Sequence, residues 1–220
     1  MKHYWEWEPT FIMDPEKSAL LVIDMQNGFI EEGAKLEVPM ARRQLPVFEK
    51  LTSYFREQNI PIIYTSFCSD VSENFQFYKD LSPQRGLNLS SPDFDFASGN
   101  DETRIHRQIT PLADELVIEK CGYDCFAETQ LDQILQEKGI TNLVITGTVI
   151  NWCVDSTIRS AYHKHYDITI VSDAVSGYTH GGLTGEEWRE AELNLFAEAF
   201  GRVISSDQLI DQLQGMFVKS

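Results

Sequence analysis

Short apolar runs of strand length recur along the chain, each followed by a polar or glycine-bearing break and then by a stretch with helical spacing. Ser18–Ile23 (SALLVI), Ile60–Ser66 (IPIIYTS), Glu115–Ile118 (ELVI), Leu143–Thr146 (LVIT, with Ile140 just upstream), Ile168–Val171 and Val203–Ile204 read as six strands. Between them, residues 42–58 place Leu45, Phe48, Leu51, Tyr54 and Phe55 on one helical side, with Pro46 marking the expected start. Residues 127–138 carry Leu131, Ile134 and Leu135 on an apolar face and stop at Gly139. Helices over 153–163, 186–200 and 207–213 complete the alternation. Strand and helix in strict succession predict an α/β fold: a three-layer α/β/α sandwich around a parallel, six-stranded sheet with right-handed crossovers.

Two stretches break the pattern. Residues 1–13 form an aromatic N-terminal extension (Tyr4, Trp5, Trp7, Phe11), expected to pack on the body or on a neighbouring subunit. Residues 67–111 form a long irregular insertion, punctuated by Pro and Gly and bearing Phe75, Phe77, Tyr78, Phe94 and Phe96. A connection of that length is expected to be a lid, a binding loop or an interface. At 220 residues the chain fits a single domain over 1–220, without an internal repeat and long enough to bury a core unaided.

Charge then removes whole classes of partner. Lys and Arg total 18 against 34 Asp and Glu, a formal charge of −16 that repels phosphate backbones and anionic bilayers. Neither nucleic acid nor a membrane is an expected partner, and no apolar run approaches the roughly 18 residues of a spanning segment. The N-terminus lacks the apolar core of a secretory leader, so the expected location is cytoplasmic.

The candidate chemistry sits at strand ends. Asp24 follows the first strand, Lys120 follows the third, and Cys153 stands where Gly147 ends the fourth strand and the helical period begins. In an open parallel sheet ligands bind outside the carboxyl ends of the strands, so all three open onto one edge. A thiol at a helix N-terminus is also expected to favour thiolate. Each residue alone has an ordinary reading, as a buried inert thiol, a turn cap or a solvated cation; their coincidence makes a nucleophile, an acid or base and a cation. Phe29, Tyr123, Phe126 and Trp152 are sequence neighbours of this set and stand as walls of a small pocket or as core.

Other signals are weaker. Cys153 and Arg159 have cysteine-phosphatase spacing, but the intervening residues VDSTI lack glycines and carry an acid. His163 and His165 lie at a helix end without further ligands at metal spacing. Cys68, Cys121 and Cys125 show neither zinc nor redox spacing, and Arg85 and Arg104 are either substrate clamps or solvent-facing.

The segments LLVIDMQNGF, VIEKCGYDCFAETQLDQIL and ITGTVINWCVDSTIRSA, in this order, resemble the isochorismatase-like cysteine hydrolases over about residues 15–213. That family includes nicotinamidases and N-carbamoylsarcosine, ureidoacrylate and biuret amidohydrolases. The resemblance implies a catalytic triad of Asp24, Lys120 and Cys153, a cis peptide at Thr148–Val149, and an oxyanion hole from the backbone N–H groups of Val149 and Cys153. It also implies a homo-oligomer, dimer or tetramer. The chain departs from the nicotinamidases, which carry metal-binding histidines beyond the second strand where SFCSDVSENF has none, and Ile150 replaces a frequent Thr. The expectation is therefore a cysteine amidohydrolase acting without a metal or cofactor through a thioester, on a C–N bond of a small amide, carbamoyl or ureido substrate. The alternatives are a catalytically silent binding or scaffold domain on the same fold, and a nicotinamidase-like hydrolase.

Overall fold

The computed structural model describes residues 2–7, 11, 13–75, 80–85 and 96–217. Six parallel strands form one sheet: β1 (Ser18–Ile23), β2 (Ile62–Phe67), β3 (Leu116–Lys120), β4 (Asn142–Thr148), β5 (Asp167–Ser176) and β6 (Arg202–Ile204). Their spatial order is β3-β2-β1-β4-β5-β6. The chain therefore winds outward one way through β1, β2 and β3, returns, and winds the other way through β4, β5 and β6. The reversal lies between β1 and β4, where open α/β sheets leave a crevice at the strands' carboxyl ends.

The continuous apolar run of β1 is explained by burial of all six of its residues, as a strand covered on both faces requires. Leu20 and Val22 pack with Ala41, Leu45, Phe48, Leu51 and Phe55 of α2 (Pro39–Glu57) and with Leu209 and Leu213 of α6 (Ser206–Phe217). Ala19, Leu21 and Ile23 face the opposite layer. That layer contains Leu131 and Leu135 of α3 (Leu131–Glu137), Ile158 and Ala161 of α4 (Asp155–His163), and Leu193 and Phe196 of α5 (Gly185–Ala199). A one-turn helix, α1 (Asn27–Ile30), follows β1. The three-layer architecture and the six parallel strands match the expectation.

Local boundaries differ for identifiable reasons. The helix expected from Pro46 begins at Pro39, whose missing N–H is harmless at a first turn, and Pro46 lies inside it. The helix expected from Ala127 begins at Leu131, because Glu128 takes a left-handed φ of 56° and Thr129 Oγ1 donates to the Cys125 carbonyl oxygen. Within the insertion, short 3-10 turns at Asp101–Thr103 and Arg107–Ile109 pack on the body, with Phe96 buried against Phe67 and Phe29. Ile105 bridges to Gln26 beside α1. Phe77, Tyr78 and Phe94 lie outside the described residues, as does the side chain of Arg85.

Gly147 sets how closely β4 approaches β1. It pairs with Ile23 at φ 122°, and a Cβ there would run into the Ile23 backbone. Two strand ends that carry chemistry are thereby drawn together.

Candidate active site

Asp24 leaves β1 with a φ of 51°, a left-handed conformation that costs an L-residue roughly 1–2 kcal/mol. The turn is held by its neighbour strand: Asp24 N–H donates to the Thr65 carbonyl oxygen at 3.1 Å, and Thr65 Oγ1 donates to Asp24 Oδ1 at 2.7 Å. The carboxylate is thus aimed by a hydroxyl on β2 and is fully buried.

Lys120 is the last residue of β3 rather than the first beyond it, and pairs in register with Phe67. From that outer strand its long side chain reaches across to bring Nζ within 2.7 Å of Asp24 Oδ2, with both side chains sealed from solvent. Nζ also donates to the Gly122 carbonyl oxygen at 2.9 Å. Burial alone would depress the lysine's pKa, but the Asp24 carboxylate, helped by the two nearby thiols, raises it above the ordinary value.

Cys153 occupies a π-helical turn, Ile150–Val154, that leads directly into α4. The turn is capped by Val149, and the Thr148–Val149 peptide bond is cis. The helix-start effect, which favours thiolate, is set here against burial and a neighbouring carboxylate. Cys153 is the fourth residue of the turn and only 7 % exposed. Burial pushes its thiol well above the ordinary range; Lys120 pulls it down, while Asp24 pushes it up again. The sulfur thus lies under the opposing influence of a carboxylate and an ammonium. Thr157 Oγ1 donates to the Cys153 carbonyl oxygen and accepts from Cys125 N–H, which ties the turn to the loop after β3.

A cavity of about 300 Å³ opens over Cys153, at the small end of ligand pockets. Phe29, Tyr123 and Trp152 line it as expected, together with Thr148 and Val149. Phe126 does not: it is buried in the core with Leu131 and Leu135 and stacks on Tyr166 at 5.8 Å. Further lining residues that sequence reasoning missed are Lys35, Leu36, Val38, Phe67, Tyr178 and His180. Trp152 is central to the wall, its ring centroid 5.9 Å from that of Tyr123 and 5.3 Å from that of Tyr178.

Arg159 and Arg104 lie elsewhere, whereas Cys125 adjoins the Asp24–Lys120 pair. Arg159 pairs with Asp155 and covers Phe200 from within α4; Arg104 is exposed beside Asp101. Cys125 is buried with its sulfur 3.6 Å from Thr65 Oγ1, and Cys68 sits beside Ser66; burial pushes each thiol up to about 12. Among the described residues no group of three or more His, Cys, Asp or Glu side chains is placed to hold a metal, and no helix is long and apolar enough to cross a membrane.

Comparison with known proteins gives consistent relatives. The isochorismatase domain profile matches residues 18–208. The ureidoacrylate amidohydrolase RutB of Pseudomonas syringae pv. syringae is 29% identical over 213 residues, covering 89% of this chain and 83% of that protein. The N-carbamoylsarcosine amidase of Thermoplasma acidophilum superposes with a TM-score of 0.68 at 27% identity, covering 87% of this chain and 97% of that one. A cysteine hydrolase of Pseudomonas syringae pv. phaseolicola 1448A has the same fold, with a TM-score of 0.83 at 23% identity over 94% of this chain and 97% of its own.

Proposed function

The chain belongs to the isochorismatase family of hydrolases, and from that premise we propose that it is a cysteine amidohydrolase that cleaves a C–N bond of a small amide, carbamoyl or ureido substrate through a thioester. The observation that carries this reading is the sealed Asp24–Lys120 pair beside Cys153, which lines the pocket. The named activities of the RutB and N-carbamoylsarcosine amidase relatives, both hydrolyses at carbon–nitrogen bonds, support it.

The steps follow from the protonation states. Cys153 holds its proton at rest, so a base must take it as sulfur attacks. Asp24 is that base: Oδ1 accepts from the Thr65 hydroxyl, Oδ2 lies 2.7 Å from the Lys120 ammonium, and the same carboxylate is in hydrogen-bonding contact with the Cys153 thiol. Sulfur adds to the substrate carbonyl carbon, and the oxyanion is held by the backbone N–H groups of Val149 and Cys153. Collapse breaks the C–N bond while Asp24 returns the proton to the leaving nitrogen. Water, deprotonated by the same carboxylate, then hydrolyses the thioester. Lys120 stays protonated throughout and offsets whichever of Asp24 or Cys153 is anionic. No step calls on a metal or cofactor.

The test is ammonia release from a panel of ureidoacrylate, N-carbamoyl amino acids, biuret and nicotinamide, comparing the native protein with Cys153→Ala. Turnover of one compound that disappears in the variant is the expected result. Turnover that survives the substitution overturns the nucleophile assignment, and silence on every compound with an unreactive Cys153 favours a binding domain.

A further inference from the structure

Tyr178 and His180 of residues 177–185, the stretch that leads from β5 into α5, line the pocket, and this stretch is fastened to the nucleophile turn itself. Asn151, two residues before Cys153, holds it by a reciprocal pair: Asn151 Nδ2 donates to the Tyr178 carbonyl oxygen at 3.1 Å, and Tyr178 N–H donates to Asn151 Oδ1 at 3.1 Å. One residue before the loop, Ser176 Oγ donates to Thr148 Oγ1 at 2.6 Å. The ends of the loop touch, since a Cβ on Gly177 would collide with the Gly185 carbonyl and one on Gly185 with that of Gly177.

Inside those anchors the loop has a defined form. Gly181 and Gly182 take φ values of 62° and 86° and turn the chain tightly between the bridged residues His180 and Leu183. Trp188 Nε1 donates to the His180 carbonyl oxygen, Thr179 Oγ1 accepts from Gly185 N–H, and Thr184 caps α5 with Glu187. The imidazole of His180 consequently meets Trp152 edge-on at 5.8 Å and lines the cavity with Tyr178.

We propose that residues 177–185 are the specificity element of the site, with Asn151 as its positioning residue and His180 as the side chain that reads the substrate end distal to the scissile bond. A primary amide at position 151 is suited to the first role because it offers a donor to the C=O and an acceptor to the N–H of one residue, Tyr178, which no other side chain of that length does. His180 is suited to the second because it brings an imidazole into an aromatic wall of Trp152, Tyr178, Tyr123 and Phe29, where it and Lys35 are, among the described residues, the two basic side chains lining the cavity. The inference rests on the amidohydrolase reading for its biological meaning, but its geometry is testable without turnover.

The experiment measures alkylation of Cys153 in the full chain by iodoacetamide and by N-phenylmaleimide, followed by mass spectrometry of the Cys153 peptide. With both clamp bonds gone, Asn151→Ala should raise the ratio of the bulky to the small reagent's rate by roughly tenfold. The iso-volume Asn151→Asp, which keeps the acceptor and loses the donor, should fall between, and it serves if the alanine variant does not fold. In His180→Ala the further effect of Asn151→Ala should shrink, because both act through one loop. On any amide the native protein turns over, Asn151→Ala should raise KM more than it lowers kcat. Equal slowing of both reagents, or additive effects of the two substitutions, overturns the proposal. A changed ratio in a protein without amide turnover supports the loop assignment and counts against the amidohydrolase reading.

Discussion

Lys120 Nζ lies 2.7 Å from Asp24 Oδ2 with neither side chain reaching solvent, and the two come from strands separated by β2. A buried pair of this kind is costly to break from one side, since the surviving charge is left without a partner, by about 3–5 kcal/mol. Replacing both ions by neutral groups of similar shape removes that penalty. Asp24→Asn and Lys120→Met should therefore each lower the urea midpoint sharply, and the double variant should recover most of the loss while remaining inactive. A double variant no more stable than the worse single one would mean that the pair is not a coupled unit.

The reach from β3 to β1 shows how much of the site was legible. Asp24 and Cys153 were readable because strand ends announce themselves, as an apolar run followed by a polar residue or by Gly147, and the β1–β4 reversal then brings them together. Lys120 was readable as a strand-end cation, but its burial was not, because periodicity says nothing of what a side chain meets across a sheet. The balance at Cys153 was only partly readable for the same reason: the dipole of a helix start is a local property, whereas the desolvation that opposes it is tertiary. Tyr178 and His180 were missed because contacts made across the fold, the Asn151 clamp among them, bring their loop to the pocket.

Phe126 and Trp152 were equal candidates by sequence and are unequal in the fold. Phe126 is 7 % exposed and packed in the core, so Phe126→Ala should cost about 3–5 kcal/mol in chemical denaturation. Trp152 forms the pocket wall, and Trp152→Ala should act chiefly on KM or on the accessibility of Cys153 to bulky reagents. The reverse pattern would return Phe126 to the pocket.

Alkaline pH should weaken the fold through its thiols. Burial raises Cys68 and Cys125 to about 12 from an ordinary value of 9.0. Between those values the unfolded chain has lost protons that the native state keeps, so stability falls as pH rises; below 9 the contribution is fully present. Urea midpoints at pH 7.5 and pH 10 should therefore diverge more for the native protein than for a Cys68→Ala, Cys125→Ala double variant, and parallel losses would refute this source of the slope.

Glu192 places a second titration in the helical layer behind the site. Its Oε2 is buried without a hydrogen-bond partner among the described residues, and burial, then the Asp155 carboxylate, raises its pKa to about 7 despite Arg159. The ordinary carboxyl value is 4.5, so between 4.5 and 7 the native state holds a proton that the unfolded chain has released. By linkage the contribution of this group is fully present below 4.5 and is lost as pH rises through about 7. Glu192→Gln keeps the shape and removes the charge. It should stabilise the protein at pH 8, where the native carboxylate is ionised against Asp155, and make little difference at pH 5, where the native side chain is already neutral. Other carboxylates titrate in this interval too, which is why the informative quantity is the difference between variant and native midpoints at each pH. A difference that does not grow from pH 5 to pH 8 would show that Glu192 is solvated rather than confined between α4 and α5.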